Sequence, residues 1–259
     1  MKIALIQMQV IEKSPAINAA KGLELLERAA EQADMLILPE VWTTGYSLGK
    51  VQETAERLDG ALCKNIQKLA AQTQTVIIAG SMAMMRGGRV YNASPVWGRD
   101  GRLLDVYEKI HLFSLYKEEN IFAPGEKRTI IPVDGWQIGI GICYDLRFPE
   151  LFRTMAVQGA ECLVIPAEWP AARGRDWRLL VQARALENQA YVAAVNCAGS
   201  FKGAPFYGHS MLVGPDGVVL AEAGEQEEIL IVEIEQAAVQ QARRKMSVLQ
   251  DRRNDCYTL

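Results

Sequence analysis

Histidine is nearly missing from this chain: His111 and His209 are the two among 259 residues. That scarcity leaves no room for a His-rich metal site and little for a Ser-His or Cys-His nucleophile pair. Long apolar runs are missing too, the longest being strand-length and far short of the roughly 20 residues of a membrane helix. There is no long basic block, and net charge is −3, which argues against nucleic acid or an anionic membrane as the main partner. The five cysteines (Cys63, Cys143, Cys162, Cys197 and Cys256) form neither a CxxC nor a Cys/His zinc pattern. The opening "MKIALIQMQV" has no small-residue cleavage site and alternates into Gln7 and Gln9, so it reads as a first strand rather than a secretion signal. The expectation is reduced thiols and a cytoplasmic location.

What is present is the balance of a globular protein, 49% hydrophobic and 23% charged. One α/β domain over residues 1–259 is expected, with about 236–259, rich in Gln and Arg, as a C-terminal arm. Ser14-Pro15 marks a helix start, Ser14 as its cap. "DMLILPE" reads as a buried strand, about 52–73 as an amphipathic helix and "TVIIAGSMAM" as the next strand. Gly-Gly and Asp-Gly turns then predict hairpins in "RGGRVYNASPVWGRDGRLLDVYEKI" (86–110) and "TIIPVDGWQIGIGICYD" (129–145). A helix at about 149–159 precedes the strand "ECLVIPAEWP", a helix at about 174–189 precedes the strand "AYVAAVNCAG", and "GPDG" marks a later hairpin. Strands alternate with helices near both ends, which predicts mixed sheets with helices outside. One internal echo stands out: "LILPEVW" at 36–42 resembles "LVIPAEW" at 163–169, each a strand end carrying Pro, an acid and Trp.

Sites in such sheets gather at the carboxyl ends of strands. Glu40 follows "LILP", Lys109 follows "LLDVYE", and Cys143 follows "GIGI". A carboxylate, an amine and a thiol suffice for acyl transfer: the sulfur attacks, the carboxylate shuttles protons and the ammonium holds the oxyanion. Each residue alone has a plainer reading, as inert core cysteine, exposed strand-end glutamate and solvated lysine.

Together, "LPEVWTTGY", "YEKIHLF" and "GICYDLRFPE" resemble the Glu, Lys and Cys motifs of the nitrilase (carbon–nitrogen hydrolase) superfamily, in its order and spacing. The resemblance continues through "AEWPAARGRDWRLLVQARALENQAYVAAVNCAG" and "YGHSMLVGPDGVVLAEAG", covering roughly residues 1–235. It implies an α-β-β-α sandwich that pairs into homodimers or higher homo-oligomers. It implies Cys143 as nucleophile, Glu40 as general base, and Lys109 with the backbone N–H of Tyr144 as oxyanion donors. "KEENIFAPG" resembles the family's second-glutamate element, which assigns Glu118, six residues before Pro124-Gly125, to position Lys109 or the substrate; Glu119 is its neighbour. The implied cycle runs through a thioester with release of ammonia, and no metal or organic cofactor is needed.

Within the family, the "GICYDLRFPE" and "HLF" contexts look most like the ω-amidase branch, which deamidates α-keto acid amides. The expected partner is therefore a small carboxylate-bearing amide. Arg147 and Arg173 are candidate carboxylate grips. Arg147 reads equally as a brace on Asp145 or Glu150, and Arg173 as a solvated cation. Tyr46 and Trp169 read as pocket walls or as packing. His111 lies two residues past Lys109 and reads as touching the site or as structural. A nitrilase or carbamoylase, a Cys-dependent acyltransferase, and a catalytically silent binding protein on the same fold remain the alternatives.

Overall fold

The computed structural model describes residues 1–256. Its first sheet has seven strands, ordered Glu228–Glu233, Lys2–Gln7, Met35–Ile37, Val76–Ile78, Arg89–Trp97 and Met82–Arg86, with Leu103–Glu108 also paired to Arg89–Trp97. The second has six, ordered Val219–Glu222, Met211–Val213, Tyr191–Asn196, Cys162–Ala167, Trp136–Ile140 and Thr129–Val133. Each sheet has three adjacent parallel strands flanked by antiparallel ones. Parallel neighbours require crossovers. Pro15–Ala30 and Ala61–Thr73 lie in those of the first sheet, and Pro149–Val157 and Gly174–Asn188 in those of the second.

Strand alternation builds the layers. Ile3, Leu5, Met35, Ile37, Val76 and Ile78 enter a core shared with the second sheet. Their neighbours Ala4, Ile6, Leu36 and Ile77 pack with Leu25, Leu26, Ile66 and Leu69 of the first two long helices. Cys162–Ala167 and Tyr191–Asn196 are buried at every position, as strands covered on both faces must be. The result is the expected α-β-β-α sandwich with mixed sheets.

Four local expectations are corrected. The helix over 52–73 is two, Val51–Thr54 and Ala61–Thr73. Between them the Glu56 N–H donates to Ala83 O and its carbonyl accepts from the Met85 N–H, both at 2.8 Å, so backbone that could have stayed helical bridges to a strand. "TVIIAGSMAM" is likewise two strands, broken at Gly80 with φ +58, where a Cβ would lie 2.0 Å from Pro39 O. Ser14 stands at the N-cap, but its hydroxyl donates to Glu12 O (3.2 Å) instead of capping the helix. The start of the expected arm, helix Gln236–Lys245, packs on its own chain. Val239 is buried. Gln189 Nε2 donates to Ala242 O (2.9 Å) and Met246 O (2.8 Å), and Arg243 Nη2 donates to Ala160 O (2.6 Å). Residues 257–259 of that arm lie outside the described residues.

Candidate active site

Cys143 sits three residues past the strand Trp136–Ile140, at the first position of the 3₁₀ turn Cys143–Arg147. Its φ is +45, a left-handed backbone that costs a non-glycine residue about 1–3 kcal/mol. Asp145 holds the elbow in place. Its Oδ2 accepts from the Ile142 N–H (2.8 Å) and the Tyr107 hydroxyl (2.7 Å). Its Oδ1 accepts from the His111 N–H (3.0 Å) and lies 2.7 Å from His111 Nδ1. The His111 ring stacks on Phe148 at 3.6 Å, so this histidine braces the turn. Val41, just past Glu40, has φ +34 and donates its N–H to the Ser81 hydroxyl (3.0 Å), a second strained corner at the same place.

Glu40, Lys109 and Glu118 are fully buried and in contact. Lys109 Nζ donates to Glu40 Oε1 (2.8 Å) and Glu118 Oε1 (3.0 Å). Glu40 Oε1 also accepts from Asn92 Nδ2 (2.8 Å), and Glu40 Oε2 from the Glu168 N–H (3.0 Å). Glu118 Oε2 accepts from the Phe113 N–H (2.7 Å). The Tyr46 hydroxyl donates to Glu118 Oε1 (2.8 Å) and lies 3.3 Å from Glu40 Oε1. The lysine backbone is fixed as well: its N–H donates to Asn92 O (2.9 Å) and its carbonyl accepts from the Gly125 N–H (2.8 Å). A Cβ at Gly125 would lie 2.1 Å from Glu108 O, so only glycine fits this approach. Glu119, the alternative at this element, is exposed.

The electrostatics follow from burial and proximity. Burial alone would lower the Lys109 pKa, but Glu40 and Glu118 outweigh it and hold the ammonium above its ordinary value. Burial pushes the Cys143 thiol well up, Glu40 pushes it further by repulsion and by accepting a hydrogen bond from the thiol, and Lys109 opposes. The resting sulfur is therefore protonated and aimed at a carboxylate that can take its proton. Burial is also the main influence on Cys63 and Cys162, which it raises to about 12 with nearby acids adding to it.

A narrow cavity of about 20 Å³ lies over Cys143, walled by Tyr46, Phe113, Tyr116, Tyr144, Arg147, Glu168, Trp169, Pro170 and Arg173. Tyr144 is second in the elbow turn, where an N–H has no acceptor within the turn. Arg147 pairs with neither Asp145 nor Glu150. Its Nη2 donates to Asp176 Oδ2 (2.8 Å) on the following helix, and its guanidinium lies over the Trp169 ring at 4.9 Å. The elbow's own carboxylate, Asp145, is already saturated by four contacts. Trp169 is buried and donates Nε1–H to Arg173 O (2.8 Å), so it is wall and packing at once. Arg173 is half-buried over the Phe113 ring (5.7 Å) and has no carboxylate partner among the described residues. It is the better placed of the two guanidinium groups for an anion.

Sequence reasoning missed three residues of this site. Asn92 and Asp145 are fully buried polar side chains in or next to apolar runs, a signal that was available. Glu168 is also buried, at 3% exposure, and stands where the repeated Pro, acid and Trp pattern placed an acid.

A sandwich of this kind, with a strained thiol, a carboxylate to receive its proton and a buried ammonium beside them, defines an acyl-transfer hydrolase without histidine or serine. The sequence matches the carbon-nitrogen hydrolase family over residues 2–244, and the chain belongs to that family. It is 38% identical to a 2-oxoglutaramate amidase of Bacillus subtilis, with 98% of each chain covered. It is 33% identical to an omega-amidase of Homo sapiens, covering 100% of this chain and 97% of that one. Among solved structures, a CN-hydrolase superfamily protein from Xanthomonas campestris with an arsenic adduct in its active site superposes with a TM-score of 0.92 at 33% identity, covering 100% of this chain and 98% of that one. An amidase from Nesterenkonia sp. AN1, carrying acrylamide added at its active site cysteine, superposes with a TM-score of 0.84 at 27% identity, covering 99% and 98%.

Proposed function

We propose that this chain hydrolyses the terminal amide of a small 2-oxo dicarboxylic acid monoamide, releasing ammonia, with Cys143 as nucleophile. The observation that carries the chemistry is the buried Glu40–Lys109–Glu118 cluster beside a protonated thiol. The full-length similarity to omega-amidases supports the substrate class, as does the unpaired guanidinium of Arg173 in the cavity wall.

Glu40 takes the thiol proton as Sγ attacks the amide carbon. The oxygen becomes an oxyanion, held by Lys109 Nζ and the Tyr144 N–H. Protonated Glu40 passes its proton to the amide nitrogen, the C–N bond breaks, and ammonia leaves a thioester on Cys143. Glu40 then deprotonates a water that attacks the thioester; the acid departs and the proton returns to sulfur. Glu118 holds Lys109 in place throughout. Arg173 grips the distal carboxylate, with Tyr46 and Trp169 as walls, while Arg147 braces the Asp176 helix against Trp169.

The reading extends to assembly and compartment. Leu179 and Leu186, seven residues apart on one helix face, are 56% and 58% exposed. Val218 and Leu220 of the neighbouring hairpin are 53% and 48% exposed, and together they form an apolar face suited to a second copy of the chain in a homodimer. Light scattering is expected to give a dimer for the wild type and a monomer for Leu186→Glu; a dimer in both removes this face as the interface. All five cysteines are free, in keeping with a reducing cytoplasm.

The testing experiment is ammonia release from 2-oxoglutaramate and 2-oxosuccinamate by wild type and Cys143→Ala. Release is expected from the wild type and a loss of at least about 10⁴-fold in the variant. Release from nitriles but not from these amides would replace the reading with a nitrilase.

A further inference from the structure

Glu168 lines the cavity over Cys143, and its carboxyl belongs to no step above. The residue is 3% exposed. Its backbone N–H is committed to Glu40 Oε2 (3.0 Å). Neither carboxyl oxygen has a hydrogen-bond partner among the described residues. Oε1 lies 3.3 Å from where a Cβ on Gly45 would stand, so it is tucked under the loop that carries Tyr46 into the same cavity. Buried carboxyl oxygens are ordinarily satisfied, and a pair left unsatisfied in a cavity wall needs an explanation.

The surroundings fix its form. Burial is the main influence, followed by repulsion from Glu40; Glu118 and Glu12 add to it, and Lys109 alone opposes. These influences favour the neutral carboxyl, which presents one O–H donor and one carbonyl acceptor.

The wall runs in sequence from Glu168, beside Glu40 and the thiol, through Trp169 and Pro170 to Arg173. A bound 2-oxo acid amide spans the same direction, with its amide carbon at Sγ and its carboxylate at Arg173. Its one remaining polar atom is the oxo oxygen, an acceptor with no donor yet assigned to it.

We propose that Glu168 is a specificity-determining residue whose carboxyl donates a hydrogen bond to the oxo oxygen of the bound amide, selecting 2-oxo acid amides over the same amides without that oxygen. This rests on the reading of Cys143 as amidase nucleophile and Arg173 as carboxylate grip.

The test compares kcat/KM for 2-oxoglutaramate and for glutaramate, which has the same chain and both end groups but no oxo oxygen. Wild type, Glu168→Gln, Glu168→Met and Glu168→Ala are measured on both, with folding checked by thermal melting. Met fills the volume without a hydrogen bond, so it serves if the Ala variant fails to fold. The preference for the oxo substrate is expected to fall about tenfold in Glu168→Met and Glu168→Ala, mainly through KM, and to stay within about threefold of wild type in Glu168→Gln, whose carboxamide keeps a donor. Equal losses on both substrates would mark a structural role and overturn the proposal alone. A wild type that cleaves neither amide would overturn the amidase reading and this inference with it.

Discussion

The two sheets end their central strands on the same pattern, and the two ends have opposite chemistry. Met35–Ile37 leads through Leu38 and Pro39 to Glu40; Cys162–Ala167, which contains Pro166, leads to Glu168. Both acids are buried, and the Glu168 N–H donates to Glu40 Oε2 (3.0 Å), so the two strand tips meet head on. Yet the Glu40 carboxylate accepts from an ammonium, an amide and a backbone N–H, while the Glu168 oxygens accept from no group among the described residues. The fold sets burial alike for both, and the neighbours decide charge. In the first half of the chain, the third parallel strand, Val76–Ile78, is followed by hairpins that deliver Asn92 and Lys109 to the strand tips. In the second half, Tyr191–Asn196 is followed by the hairpin Ala198–Phe201/Ala204–Pro205, whose Lys202 is exposed at the turn, and Cys143 comes from the end of Trp136–Ile140, the first of that sheet's parallel strands. The site is thus an asymmetry between two similar halves: in the proposed reading one acid serves as the base and the other as a cavity wall.

The sharpest way to break that comparison is to neutralise each acid in turn. Glu40→Gln keeps the shape but cannot take the thiol proton, and kcat on 2-oxoglutaramate is expected to fall about 10²–10⁴-fold. Glu168→Gln should cost far less. If the two losses measured by steady-state kinetics were alike, the division of labour between the strand tips would be wrong.

The sequence carried much of this arrangement. Alternating strands and helices predicted mixed sheets with helices outside, because buried parallel strands read as continuous apolar runs, and the resemblance to the family supplied the sandwich. Glu40, Lys109, Cys143 and Glu118 were legible because their local motifs are short and contiguous. The partner of Arg147 was not: Asp176 lies 29 residues away on another helix, and only the folded chain brings them together. The break between residues 54 and 61 was hidden because backbone pairing of Glu56 with Ala83 and Met85 leaves no mark in residue type. Glu168 was visible as an acid in a repeated pattern, but its want of partners is a property of the space around it.

The same wall offers a smaller test at its outer end. Arg173→Ala is expected to raise KM for 2-oxoglutaramate by about 10-fold or more, the loss of one charge-assisted grip, with kcat changed less. Arg147→Ala removes the Asp176 brace, and its effect should appear mainly as a lower melting temperature. A KM increase confined to Arg147→Ala would exchange the two assignments.

The least effect, and the most direct on the Glu168 side, is in stability against pH. Its carboxyl is held well above the ordinary carboxylate range, first by burial and then by Glu40, Glu118 and Glu12, with Lys109 opposing and Cys143, Cys197 and Tyr46 close by. The unfolded chain ionises this group at lower pH than the folded one does. Above the ordinary carboxylate range the folded state therefore binds more protons, and wild-type stability declines as pH rises toward the folded pKa. Glu168→Gln carries no such proton, while every other titrating group is common to both proteins. Urea midpoints at pH 5 and pH 8 are therefore expected to show the variant gaining on wild type as pH rises. An equal gap at both values would mean that Glu168 titrates alike in the folded and unfolded chain, and that its lack of partners does not hold its proton.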